Sequence, residues 1–151
     1  MSRFAGDGHA LVCALVLVLV AAGCGKFQQA RECATFVKTV NAWLEKDAAQ
    51  GSGDASLTSD PKQIAEHARR TAQHYTELSQ RLAALHVEGE DLAPRVQRYE
   101  QIADSAALAL RDVADALDHG DLEKARQKRV EFDTVAQREA PLVKEINGVC
   151  R

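Results

Sequence analysis

Ile64 to Leu85 reads I-A-E-H-A-R-R-T-A-Q-H-Y-T-E-L-S-Q-R-L-A-A-L. Within it Ile64, Ala68, Thr71, Tyr75, Leu78, Leu82 and Leu85 recur at alternating spacings of four and three. That is the period of a helix burying one stripe against other helices, whereas a half-buried strand would alternate every second residue. Just upstream, Asp60 can cap free backbone N–H groups, Pro61 suits the first helical position, and Gln63 completes a capping-box-like start. Gly89 is a natural stop.

Working outward, the same period appears on both sides. Toward the N-terminus a helix is expected from near Gln28 to Lys46, with Cys33, Val37, Val40 and Leu44 as its seam and Phe36 and Trp43 widening the apolar face. Between it and Asp60 lies Gln50 to Ser59, Q-G-S-G-D-A-S-L-T-S, which has little to bury and reads as an exposed loop. Toward the C-terminus a third helix starts around Asp91, with Pro94 tolerated in its first turn. Its seam is Leu92, Val96, Tyr99, Ala103, Ala106, Leu110, Val113 and Leu117, with Ile102 beside it. His119-Gly120-Asp121 breaks the chain, Gly120 taking a left-handed conformation and Asp121 capping the next helix.

The fourth helix places Leu122, Ala125, Phe132, Ala136, Val143, Ile146 and Cys150 on one face, flanked by Val130, Val135 and Leu142. Pro141 removes a backbone donor and predicts a kink or short break between Arg138 and Pro141. Short turns at two of the three junctions make neighbouring helices antiparallel. The expectation is an all-α, up-down-up-down four-helix bundle over residues 32–151, preceded by an N-terminal signal peptide.

Composition agrees with that class. Only 5% of the residues are aromatic, and Ala, Leu, Val, Glu, Gln, Arg and Asp dominate, a mix that suits helices better than strands. At 151 residues there is room for one domain. A net charge of −3 argues against a nucleic-acid face, which needs clustered Lys and Arg. Lys124 to Arg129, K-A-R-Q-K-R, is bracketed by Asp121, Glu123 and Glu131 and interleaved by no aromatic residue, so it does not change that reading.

The N-terminus has a different character. Ala10 to Gly25 reads A-L-V-C-A-L-V-L-V-L-V-A-A-G-C-G. Leu11 to Val20 has the length of a signal-peptide core and is too short to span a bilayer, and Arg3 supplies a weak basic start. With the small residues Ala21, Ala22 and Gly23 before Cys24, A-A-G-C resembles the lipobox of bacterial lipoproteins. It departs at Ala21, where Leu is commoner. The resemblance covers the first 25 residues. It implies a leader over 1–23 cut at Ala21-Ala22-Gly23, fatty acylation (palmitate among the acyl groups) of Cys24, and a lipidated tether over 24–31. The alternatives are an ordinary secretory signal and an uncleaved anchor. Gly25 lacks the acidic side chain that, in enterobacterial lipoproteins, favours inner-membrane retention, so the resemblance implies the cell envelope and the outer membrane over the inner.

Cys13 belongs to the leader and Cys24 to the anchor, which leaves Cys33 and Cys150. In an antiparallel bundle the start of the first helix and the end of the fourth lie at the same end, and an oxidising compartment makes the pair a disulfide; two buried free thiols are the alternative.

Chemistry is sparse. His67 and His74 share a helix face but flank the seam, with no further ligand beside them, so no metal site is expected. His86 and His119 sit at helix ends, where an imidazole complements terminal carbonyls. There is no C-x-x-C-H for covalent haem, and Met1 is the sole methionine, so no cofactor is expected. Asp112, Asp115 and Asp118 form an acidic edge that reads as a solvated face. Nothing supplies a nucleophile, a base and an oxyanion donor together, so the chain is read as no enzyme. Its partners are then a membrane, through Cys24, and an envelope protein docked on a bundle face. A ligand-sensing or carrier bundle is the alternative, with Thr71, Tyr75 and Tyr99 lining a pocket between helices.

Overall fold

The structure is a computed structural model that describes residues 8–49 and 60–151, with side chains over 25–46 and 60–151. Gln50 to Ser59, expected to be an exposed loop, lies outside the described residues. The described elements are all helices: α1 (Gly8–Ala49), α2 (Pro61–Ala83), α3 (Ala93–Asp118), α4 (Leu122–Ala136) and α5 (Glu139–Val149).

Local chemistry sets most of their ends. The Asp60 carboxylate accepts the Lys62 N–H at 3.0 Å, with Pro61 next in the first turn of α2. At the α3–α4 junction Gly120 takes φ 71°, and the Asp121 carboxylate caps α4 by accepting the Lys124 N–H at 3.0 Å. Pro141 falls in the first turn of α5, where its missing N–H breaks no helical hydrogen bond. The fourth helix is therefore two, α4 and α5, separated at Gln137 and Arg138.

Paired residues give the direction of each helix. Trp43 meets His74, while Glu32 meets Gly89, so α1 and α2 run antiparallel. Arg69 pairs with Asp118 and Arg111 with Thr76, which sets α3 antiparallel to α2. Lys128 faces Asp112, and Glu145 faces Arg98, so α4 and α5 return along α3. The end of α5 lies beside the early part of α1, through Cys33–Cys150 and a 3.1 Å hydrogen bond from Gln29 Nε2 to the Val149 carbonyl.

One core cluster fills the end that holds the disulfide, from Cys33 and Phe36 through Leu78, Leu82 and Tyr99 to Ile146. The second packs Ala65, Ala68 and Ala72 of α2 on Leu110, Val113 and Ala114 of α3. Burial on α3 runs well beyond one stripe, taking in Ala107, Ala109, Ala114 and Ala116, because α2, α4 and α5 all pack on it.

The buried faces depart from the expected seams on three helices. On α1, Cys33, Phe36 and Trp43 are buried but Val37 and Leu44 are exposed, since α2 and the α5 end cover only one side of it. On α2, Ala65, Ala72 and Ser79 are buried beside the expected stripe, and His74 is buried too, because α2 packs between α1 and α3. On α4, Leu122 and Val130 point to solvent and Ala125 is the buried residue, against α3. Finally, Gly25 to Arg31, expected to be a short tether, is helical. Lys26, Gln28, Gln29, Ala30 and Arg31 are good helix formers with no breaker among them, and Gln28 and Gln29 bond other segments.

Candidate functional site

Three segments meet at the end of the bundle nearest Cys24: the early side chains of α1, the α2–α3 connection at residues 84–92, and the close of α5. The connection is tied down by one acid. Glu32 is almost fully buried, and its carboxylate accepts the backbone N–H groups of Glu88 at 3.2 Å and Gly89 at 3.1 Å. Gln28 Nε2 donates to the same carboxylate and to that of Glu88, each at 3.0 Å. Burial pushes the Glu32 pKa up, but the hydrogen bonds from Gln28, Glu88 and Gly89 outweigh it and hold the group below its ordinary value. Gly89 leaves room for this approach: a Cβ there would stand 3.0 Å from Glu32 Oε2, so the carboxylate would have to shift by a few tenths of an ångström.

A lowered folded pKa means that the charged form stabilises the fold. That stabilisation is complete above the ordinary carboxylate value of 4.5 and is lost as pH falls through the lower folded value. Glu32→Gln is expected to cost about 1–3 kcal/mol at neutral pH and to flatten the acid limb of stability, measured by urea unfolding between about pH 3 and 7. An acid limb identical to wild type would refute this role.

Beside this latch, Cys33 and Cys150 are joined, with sulfurs 2.01 Å and Cα atoms 5.6 Å apart. Between α1 and the connection lies an open cleft of about 470 Å³, lined by Phe27, Arg31, Thr35, Leu85, His86 and Val87 among others. Neither Glu32 nor this cleft was anticipated from sequence. The one available signal was Phe27, an aromatic residue three positions after Cys24.

The remaining expected site residues are dispersed. Ala21, Ala22, Gly23 and Cys24 belong to the N-terminal part of α1, and their side chains lie outside those described. Thr71, Tyr75 and Tyr99 line none of the clefts described, and each has its own surroundings. Tyr99 is buried, its ring 6.0 Å from Phe36 and its hydroxyl donating to Glu139, and burial followed by that contact drives its pKa far above the ordinary phenol value. Tyr75 stands between Trp43 at 5.5 Å and Phe132 at 6.0 Å, while Thr71 Oγ1 lies 3.5 Å from His67 Nε2.

The acidic edge is largely compensated, Asp112 by Lys128 at 3.3 Å and Asp118 by Arg69. A further cleft of about 580 Å³ opens at the α4–α5 break, lined by Arg98, Gln101, Ser105, Thr134, Arg138 and Pro141 among others. Among the described residues, no three His, Cys, Asp or Glu side chains are grouped to hold a metal ion, and no helix is long and apolar enough to cross a membrane. No protein-family model, no curated protein and no solved structure matches the chain.

Proposed function

We propose that the chain is a lipoprotein of the bacterial cell envelope, tethered through acylated Cys24, whose non-enzymatic helical domain binds another envelope protein. The observation that carries the anchor is Leu11 to Val20 followed by Ala21-Ala22-Gly23-Cys24. A ten-residue apolar core suits a leader, the small residues put no bulky side chain in the way of a peptidase, and the thiol of Cys24 takes the acyl group. At about 0.8 kcal/mol per buried methylene, several acyl chains hold a domain of this size at a bilayer. Gly25 in place of an acidic residue favours the outer membrane over the inner.

Support for a docking role comes from the filled core around Tyr75 and Tyr99 and from the apolar side chains left on the surface. Val37 and Leu44 on α1 are 41% and 48% exposed, and Leu122 and Val130 on α4 are 51% and 64% exposed. A carrier would hold its apolar surface around a cavity; here the surplus faces outward.

Fatty-acid labelling in a bacterial host tests the anchor. Wild type is expected to take label and to lack residues 1–23, and Cys24→Ser to take none. A mature chain with an unmodified thiol at Cys24 would remove the anchor. Photo-crosslinking from Leu44 and Val130 in the native envelope tests docking: a discrete protein adduct supports it, and none from either position overturns it.

A further inference from the structure

We propose that the end of the bundle beside Cys24 is itself a membrane-inserting surface, with Phe27 entering the boundary between lipid headgroups and acyl chains. The inference rests on the reading of Cys24 as the lipid-bearing residue. Phe27 is 68% exposed, the most exposed of the large apolar side chains described. It follows Cys24 by three residues on the same helix, a rise of about 5 Å along the axis. A side chain that close to an acylated cysteine lies at headgroup depth, where amphipathic and aromatic surfaces are stabilised.

The apolar surface extends beyond one residue. Leu85 and Val87, both half-buried, share the cleft with Phe27 and carry it from α1 onto the α2–α3 connection. That connection is held by the Glu32 latch, so Leu85 and Val87 are presented on fixed backbone. Charge separates a membrane driven by apolar burial from one recognised by its anionic lipids. Lys26, Arg31 and His86 are exposed here, but so are Glu88, Glu90 and Asp91, while Glu32 is turned inward. With both signs present, insertion is driven by apolar burial and is insensitive to salt.

The test uses the protein as processed in the bacterial host, placed in vesicles of phosphatidylethanolamine and phosphatidylcholine whose acyl chains carry bromine, a short-range quencher of indole. The reporter is Phe27→Trp, and wild type supplies the control through buried Trp43. Bromine is expected to lower the emission of the introduced indole about twofold, equally in low and high salt, and to leave wild type unchanged. An introduced indole untouched by bromine but quenched by aqueous iodide overturns the proposal. If Phe27→Trp fails to fold, Val87→Trp carries the same reading. Mass spectrometry of the same sample separates the two ideas: acylated Cys24 with an unquenched indole refutes insertion and leaves the anchor standing. Unmodified Cys24 with a quenched indole does the reverse.

Discussion

Replacing Cys33 and Cys150 together by alanine lowers the unfolding free energy by about 4–5 kcal/mol. The bond joins residues separated by 117 positions, so opening it returns nearly the whole bundle to unrestrained loop entropy in the unfolded state. The effect acts mainly on the unfolded chain, and the folded double variant should keep its helices. Guanidinium unfolding of oxidised wild type, reduced wild type and the double variant measures it. The last two should coincide, well below the first. Coincidence of all three would mean that the bond does not form or does not constrain the unfolded ensemble.

Trp43→Ala carries the second large effect, a loss of about 3–5 kcal/mol. Trp43 is 5% exposed, its ring lies 5.5 Å from Tyr75, and its Nε1–H donates to the His74 carbonyl at 2.9 Å. It matters more than its size because of where α1 is held. The disulfide and the Glu32 latch secure one end, and toward the other end Trp43 is the main buried contact, helped by the Lys46–Glu77 pair at 2.6 Å. Truncation should release the outer part of α1 while the disulfide end stays docked. Hydrogen exchange is therefore expected to accelerate over residues 37–46 far more than over 28–36. Trp43→Phe, which keeps most of the volume and loses the hydrogen bond, should cost about 1–2 kcal/mol. Uniform acceleration along α1 would show that the helix undocks as one unit.

Helix existence and order were legible because they depend on period and on caps. The four-three spacing from Ile64 to Leu85, the Asp60-Pro61 start, the Gly120-Asp121 turn and the Pro141 break are each written within a few neighbouring residues. Which face each helix buries was less legible. Val37 and Leu44 belong to a regular seam on α1, yet Phe36 and Trp43 go inside, because α1 is covered on one side only. Alanine was the other blind spot. Ala107, Ala114 and Ala116 carry too little apolar signal to mark a face, and their small volume is what lets α2 and α4 approach α3 closely.

The candidate site divides along the same line. The proposed export signal, Leu11 to Val20 followed by Ala21-Ala22-Gly23-Cys24, rests on sequence alone, because its pattern lies within a few neighbouring residues. Sequence alone also paired Cys33 with Cys150, since antiparallel topology brings the two chain ends together. Only the tertiary structure could reveal Glu32 as the clasp of the α2–α3 connection, the packing of Tyr75 between Trp43 and Phe132, or an apolar surface joining Phe27 to Leu85 and Val87. Those features join residues distant in the chain, and how closely two helices approach, and at what rotation, depends on the side chains of both.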